Sequence, residues 1–315
     1  MTDYQAPLRD IRFAMNELLE FPAHYSSLPG CEEATPELVA AILEEGAKFA
    51  TEVVAPLDPI ADQLGCTWQD GEVKTPPGFK QAWEQFCDAG WQGLSNRTEH
   101  GGQGMPASVN TAVSEMLGSA CITWAFYASS AMAAIETLHA WGTEALQKDY
   151  IPKLVSGKYA NTMCLSESHC GSDLGLMRTK AEANADGSYT IKGTKIFISQ
   201  GEHDMTDNIV HVVLARLPDA PPGTKGISLF IVPKFLPDEQ GNAGDRNAVH
   251  CASIEKKMGI KGSATCVMNF DDATGYLIGE PNKGLACMFT FMNTARLGTA
   301  VQGLAHGELS YQGAL

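Results

Sequence analysis

Residues 159–201, YANTMCLSESHCGSDLGLMRTKAEANADGSYTIKGTKIFISQG, decide the fold of this 315-residue chain. A polar turn at residues 166–173 lies between a short apolar run, residues 163–165, and a series of β-type segments. Such a run is typical of a buried strand, and a Gly-Ser-Asp turn offers backbone N–H groups and hydroxyls. A loop of this kind can bind an anionic or carbonyl-rich ligand through main-chain donors. A hairpin with a polar turn and no ligand fits the spacing about as well.

The β-type segments that follow the turn predict a hairpin. Asp186 and Gly187 separate residues 179–185 from residues 188–192, and an Asp-Gly pair in this position is a strong hairpin signal. Gly193 then leads into a third segment, residues 195–199. Ser199 therefore closes a strand whose start lies near the polar loop.

The residues narrow the choice further than the spacing does. Residues 164–173 read CLSESHCGSD and residues 197–199 read FIS. The first string resembles the first signature of the acyl-CoA dehydrogenase family, and the second resembles its aromatic-Ile-Thr/Ser triplet. The matches extend from about residue 90 to residue 305, include the blocks at 257–266 and 277–280, and look most like the longer-chain branch of the family.

Three positions depart from the family pattern. Cys170 stands where the family has a small Gly, Ala, Ser or Asn, so the backbone approach at Gly171 is expected to change. Ser168 and His169 stand where Pro-Gly is common, which predicts a less rigid loop.

Composition bounds the class of protein. The hydrophobic content of 44% is ordinary for a folded protein, and the formal net charge of −15 argues against nucleic acid or an anionic membrane surface, because both require clustered Lys and Arg. The Cys count is odd, nine, with no Cys-x-x-Cys pair, which suggests neither a disulfide framework nor a zinc site. The acidic, interrupted residues 1–21 do not resemble a secretory signal. We therefore expect a cytoplasmic protein.

Residues 1–160 are predicted to be helical. Thr35 and Pro36 form a helix start, after which Leu38, Ile42, Phe49 and Val53 fall on one face. Phe79, Trp83 and Phe86 repeat the helical spacing, and Thr143 can cap a further helix. Residues 116–135 carry no charge, but their Ser and Thr content and acidic flanks favour a buried bundle helix over a membrane span.

The string from Gly102 to Ala107 nominally fits a dinucleotide fingerprint, yet no strand precedes it, so a Rossmann interpretation is weak. Beyond residue 160 the period changes to that of strands, with β-rich runs at 210–214, 227–232 and 264–270. These runs predict a compact antiparallel β domain. His203, Asp204, Asp207 and His211 lack a recognised metal spacing, so we predict no metal site.

The resemblance implies an α+β multi-domain fold: an N-terminal helical domain (1–160), a middle antiparallel β-barrel domain (161–280) and the beginning of a C-terminal helical bundle (281–315). It also implies FAD as cofactor and the oxidation of an acyl-CoA thioester to the 2-enoyl-CoA. In that reaction a carboxylate takes the α-proton while the β-hydrogen leaves as hydride to flavin N5.

The resemblance assigns site residues position by position. Ser166 and Ser199 are expected to be hydroxyl partners of the flavin ring, Phe197 to lie against its face, and Ser172 to touch the CoA arm. Asn293 and Arg296 match the substrate-contacting segment. The complete set of expected FAD-lining residues is Met163, Cys164, Leu165, Ser166, Gly171, Ser172, Phe197, Ile198 and Ser199.

No catalytic residue is predicted within this chain. The family's Glu base is expected beyond Leu315, in the rest of the C-terminal bundle. This chain would then be a truncated product of a longer gene. Loss of a general base typically lowers the reaction rate by a factor of about 10² to 10⁴. Glu167 is expected to fix the turn instead.

The expected partners are an acyl-CoA, an electron-transfer flavoprotein or other acceptor, and further copies of the chain in a homodimer or homotetramer. Two alternatives stay open at this point. One is a flavin oxidase or monooxygenase on the same fold, and the other is a non-catalytic flavin-binding fragment.

Overall fold

The computed structural model describes residues 4–315, so residues 1–3 of the predicted helical region lie outside the described residues. Two π-helical segments, Ala14–Leu18 and Ala50–Val54, continue the first and third of the α-helices. The α-helices are α1 (Leu8–Phe13), α2 (Phe21–Ser27), α3 (Pro36–Phe49), α4 (Leu57–Leu64), α5 (Phe79–Asp88), α6 (Ala107–Ser129), α7 (Ala131–Trp141), α8 (Glu144–Val155) and α9 (Gly284–Ala314).

Most strands lie between α8 and α9. They are β1 (Thr67–Gln69), β2 (Glu72–Lys74), β3 (Tyr159–Cys164), β4 (Lys180–Ala183), β5 (Tyr189–Ser199), β6 (Asn208–Arg216), β7 (Ile227–Pro233), β8 (Phe235–Pro237), β9 (Ala243–Arg246), β10 (Val249–Ile254) and β11 (Thr265–Ile278). The succession of helices, strands and a final helix confirms the predicted α+β class.

The strand pairings close into a barrel. β5 pairs with β4, β4 touches β6, β6 pairs with β7, β7 pairs with β11, and β11 pairs with β5. The predicted barrel is therefore present, with one difference in detail: the sheet is mixed, because β3 and β4 each run parallel to β6. The β3–β6 pair is joined by a long connection through β4 and β5, as a parallel pair requires.

The faces of β6 explain why its residues 212–215 are all apolar. Val213 and Ala215 belong to the core inside the barrel, whereas Val212 and Leu214 pack in a second core that includes residues of α7 and α8. A strand buried on both faces reads as a continuous hydrophobic run.

Two predictions about the N-terminal region need correction. The region predicted as all helical contains a small hairpin of β1 and β2, whose turn, Asp70 and Gly71, has positive φ at both residues. This geometry suits an Asp-Gly pair. Thr35 does cap α3 by accepting from Leu38 N at 3.3 Å, but the deepest stripe is Val39, Leu43 and Ala47. Apolar residues fill two adjacent stripes here: Ile42, Phe49 and Val53 of the predicted face are half-buried against the same core, whereas Leu38 is exposed.

The uncharged stretch at 116–135 is buried as predicted, but it forms two helices, α6 and α7, that meet at Ser130. Trp124 of α6 is fully buried beside Trp83 and Phe86. Within residues 4–315, no helix has the length and apolar character needed to cross a membrane. Gly102 packs so closely on Asn96 that an added Cβ would lie 2.2 Å from its carbonyl oxygen, which gives this glycine a packing role.

Candidate functional site

Glu167 holds the polar loop in its shape. Its side chain is almost fully buried, and its carboxylate accepts from Arg178 N at 2.8 Å, from Thr179 N at 3.0 Å and from Thr179 Oγ1 at 2.6 Å. The backbone closes the same turn through Glu167 N to Cys170 O at 2.8 Å and Cys170 N to Glu167 O at 3.0 Å. The expectation that Glu167 fixes the turn agrees with these contacts.

Lys195 of β5 joins the loop to the barrel. Its side chain is 0% exposed, and Nζ donates to Glu167 Oε1 at 3.0 Å and to Leu165 O at 3.0 Å. Burial alone would raise the pKa of Glu167, but the Lys195 ammonium and the donors of Thr179 and Arg178 outweigh it and lower that pKa to about 2. Burial in turn lowers the pKa of Lys195, against the opposing effect of Glu167. Glu167 is therefore ionised at neutral pH.

Two further contacts press β5 against the loop. Ile196 N donates to Ser166 O at 2.9 Å. A Cβ on Gly193 would lie 2.9 Å from Thr179 Cα, so a glycine is needed for Thr179 to reach this strand. Gly193 lies inside β5, so the second and third β-type segments of the sequence are one strand.

Phe197 is the residue that most clearly indicates a ligand. It has a left-handed backbone with φ of +59° and a ring that is 62% exposed. An aromatic residue rarely adopts this conformation, and strain of this kind concentrates at functional sites. A large apolar ring held in water at this cost is a candidate stacking surface.

The other predicted cofactor residues fall into two groups. The side chains of Cys164 and Ile198 are buried in the barrel core, so only their backbone is available to a ligand. Ser166 is half-buried, and Gly171, Ser172 and Ser199 are exposed. The predicted departure at Cys170 places a buried side chain under the loop. Met163 and Leu165 are half-buried against the second core.

The predicted substrate residues lie on α9. Asn293 and Arg296 are exposed and bind each other, with Arg296 Nη1 to Asn293 Oδ1 at 2.7 Å. In the described part of the chain, no hydrogen bond or ion pair links them to the polar loop. The two side chains therefore order each other on α9.

A cavity of about 480 Å³ lies between α6 and α9. Sequence reasoning did not find it, because it forms between helices distant in the chain. Gly118 was the available signal: a Cβ there would lie 3.1 Å from Ala305 Cβ, so a glycine lets the two helices approach. Most of the cavity wall is apolar, with a few polar side chains such as Glu136. The apolar lining residues include Leu117, Ile122, Phe126, Leu297 and Val301.

Tyr127 of α6 contacts the segment that follows β5, next to α6 residues that line the cavity. Its ring packs edge-on against His203 at 5.2 Å between centroids, and its hydroxyl donates to Gly262 O at 3.2 Å. His203 follows the end of β5, while Phe126 and Ala128 on either side of Tyr127 line the cavity. The end of α6 therefore both lines the cavity and contacts the segment that follows β5.

Several of the groups that could hold a metal ion have other partners. Glu167, His169 and Cys170 bring ligand atoms within 4.8 Å of one another, but the carboxylate is already bound by Lys195. Asp204 accepts from Thr75 Oγ1 at 2.8 Å, and His211 Nδ1 bonds Thr162 Oγ1 at 2.8 Å.

Comparison with known proteins gives two family matches. Residues 37–158 match the acyl-CoA dehydrogenase N-terminal domain, and residues 162–273 match the acyl-CoA dehydrogenase middle domain. The 3-methylmercaptopropionyl-CoA dehydrogenase of Ruegeria pomeroyi is 46% identical over 312 residues, which cover 99% of this chain and 53% of that protein. A butyryl-CoA dehydrogenase of Syntrophomonas wolfei is 36% identical over 96% of this chain and 52% of its own length. The chain thus spans about half the length of these relatives.

Solved structures share the fold. The butyryl-CoA dehydrogenase of Megasphaera elsdenii superposes with a TM-score of 0.71 and 24% identity, covering 86% of this chain and 66% of that one. A Bacillus anthracis acyl-CoA dehydrogenase, solved in complex with FAD, gives a TM-score of 0.68 and 23% identity, covering 87% and 43% of the two chains.

Proposed function

Because the chain belongs to the acyl-CoA dehydrogenase family, whose members are FAD-dependent oxidoreductases, we propose that it serves the oxidation of an acyl-CoA thioester to the 2-enoyl-CoA. The observation that carries the proposal is the exposed, left-handed Phe197 beside the ion-paired loop. The division into a helical domain (1–160), a barrel domain (161–280) and a further helical domain (281–315) is part of the same proposal.

The residues around Phe197 fit FAD. The exposed ring offers a face for the flavin, the hydroxyls of Ser166 and Ser199 are positioned on the two segments that Lys195 joins, and Gly171 and Ser172 leave the loop backbone open. When bound, FAD supplies the acceptor for the hydride. The chain supplies a preorganised surface, since Glu167 and Lys195 fix the loop before any ligand arrives.

The α6–α9 cavity suits the acyl chain. Its mostly apolar wall favours burial of methylene groups at about 25 cal/mol per Å². We propose that Ser172 on the loop and Asn293 and Arg296 on α9 contact the CoA portion or the thioester. Among these residues Arg296 is the cation, and its guanidinium is suited to bind a phosphate group.

Glu167 is unsuited to take the α-proton. A carboxylate with a pKa of about 2, three hydrogen-bond donors from Arg178 and Thr179 and an ammonium partner is a weak base. We propose that the base is the family's Glu, outside these residues, so that this chain alone binds FAD and acyl-CoA without oxidising the thioester.

The test is the visible spectrum of the purified chain with FAD, before and after anaerobic addition of a series of acyl-CoAs. The proposal expects saturable FAD binding and a shift of the flavin band on adding acyl-CoA. Bleaching of the flavin would place a working base inside residues 1–315. A folded chain that binds no FAD would contradict the proposed function.

Oxygen consumption coupled to product would favour the oxidase or monooxygenase alternative, and flavin binding without any acyl-CoA response would favour a non-catalytic flavin-binding fragment. An electron-transfer flavoprotein as acceptor, a homodimer or homotetramer, and a cytoplasmic location are proposals that extend the same function.

A further inference from the structure

The segment that leaves β5 is packed without slack. Gln200 has a left-handed backbone with φ of +59°, and its N–H donates to Ala264 O at 2.7 Å. At Gly201 an added Cβ would lie 2.8 Å from Cys266 Cβ and 2.7 Å from Met268 Sδ. Only a glycine lets this turn lie flat on β11, so a displacement on one side of the turn is passed to the other.

Glu202, the next residue, is a buried carboxylate with two cationic partners. It is 2% exposed. Lys234 Nζ donates to Oε1, Arg246 Nη2 donates to Oε2 at 3.3 Å, and His203 N donates to Oε1 at 3.0 Å. The two cations come from the exit of β7 and the end of β9, 32 and 44 residues further along the chain than Glu202.

Both residues are anchored to the barrel by bonds that do not involve Glu202, Lys234 through its backbone and Arg246 through its guanidinium. Lys234 N donates to Ile209 O at 2.8 Å, and Arg246 Nη2 donates to Val249 O at 3.0 Å. The two side chains also lie over the ring of Phe235, at 5.3 Å and 5.2 Å from its centroid. Glu202 therefore binds a preformed pair of charges, and its own place in space is fixed by them.

We infer that Glu202 is a positioning residue for the cofactor site: through Lys234 and Arg246 it fixes the end of β5, and with it the ring of Phe197 and the hydroxyl of Ser199. This inference rests on the proposed function. Glu202 itself is buried under the turn and needs no contact with FAD. A misplacement of about 1 Å that originates far from the reacting atoms can reduce a reaction rate about a hundredfold.

The experiment compares Glu202→Gln with wild type in FAD affinity, measured by flavin fluorescence, and in the visible circular dichroism of the bound flavin. We expect about tenfold weaker FAD binding and an altered dichroism spectrum. Asp272→Asn is the matched control, because it breaks an exposed ion pair on the same barrel, Lys192 to Asp272 at 3.3 Å, and is expected to leave both readouts unchanged.

A Glu202→Gln protein that is less stable but binds FAD with wild-type affinity and an unchanged dichroism spectrum would overturn the inference, because Glu202 would then serve stability alone. If Glu202→Gln does not fold, Arg246→Gln carries the same test, since the Glu202–Lys234 pair stays in place. A wild-type chain that binds no FAD would instead contradict the proposed function, so the two failures are distinguishable.

Discussion

Glu167 and Glu202 are two buried carboxylates, one before and one after Phe197 in the sequence, and their charges are neutralised in different ways. Glu167 is bound by one fully buried cation, Lys195, and by backbone and hydroxyl donors of its own loop. Glu202 is bound by two cations whose side chains are 13% and 36% exposed. The cation that Glu167 neutralises therefore has no access to water, whereas those of Glu202 do.

The difference separates two roles that are easily confused. A buried charge left without its partner is far more costly than one that can reach solvent. We therefore expect Glu167 to matter mainly for whether the loop forms at all, and Glu202 mainly for where the strand end lies.

The largest expected effect is on stability. Glu167→Gln leaves Lys195 buried and unpaired, so we expect the apoprotein to lose about 3–5 kcal/mol of unfolding free energy. Glu202→Gln leaves two hydrated cations and is expected to cost about 2 kcal/mol. Equilibrium unfolding in urea measures both. An equal loss in the two variants would break the comparison.

The contribution of Glu167 should also depend on pH in a defined window. Its pKa is lowered from 4.5 to about 2 in the folded state, so its stabilisation, about 3 kcal/mol, is complete above the unfolded pKa and is lost as pH falls through the folded one. The difference between wild type and Glu167→Gln should narrow from pH 4.5 toward pH 2.

Two buried histidines act in both proteins and cancel in that difference. Burial lowers the pKa of His203 and of His211 to about 3, so both favour unfolding as pH falls below about 6.5. A gap between wild type and variant that stays constant from pH 7 to pH 3 would contradict the assignment of Glu167 as an ionised, stabilising group.

Phe197→Gly is expected to raise the stability of the apoprotein by about 1 kcal/mol. Glycine adopts the left-handed backbone without the penalty of a side chain, and the exposed ring that is removed contributes little burial. Thermal unfolding of the apoprotein measures the change. A clear loss of stability would mean that the ring is structural, and would remove the main reason to place a ligand there.

Asp272→Asn sets the lower end of the scale. Its partner Lys192 is on the barrel surface, and both side chains are more than 60% exposed, at 66% and 62%. Exposed pairs contribute about 0–1 kcal/mol, so urea unfolding should show a change near zero. A loss comparable to that of Glu202→Gln would show that any barrel ion pair has such an effect.

Features governed by local chemistry could be predicted from the sequence. Thr143 caps α8 by accepting from Leu146 N at 3.3 Å, and Asp186 and Gly187 turn between β4 and β5 as expected. The loop at 165–173 and its return strand were also located, because the Glu, Gly and Asp residues that shape the loop are adjacent in sequence.

Features that join distant parts of the chain could not be predicted. No sequence feature near Glu202 predicts its contacts with Lys234 and Arg246, and none near Leu117 predicts that Leu297 lies across the cavity. The sequence indicates Lys195 only as the start of a β-type segment, because a lysine in a strand usually faces water. The left-handed backbone of Phe197 has no local signal, since no glycine or asparagine marks it.

The central claim is that the ion-paired loop and the end of β5 form a surface for FAD, and a paired titration tests it most directly. FAD is added to the folded wild-type chain and to Phe197→Gly, and flavin fluorescence is followed to saturation. We predict saturable FAD binding by the wild-type chain and about tenfold weaker FAD binding by Phe197→Gly, because the aromatic contact is lost. No saturable binding by the folded wild-type chain, or equal affinity in the two proteins, would contradict it.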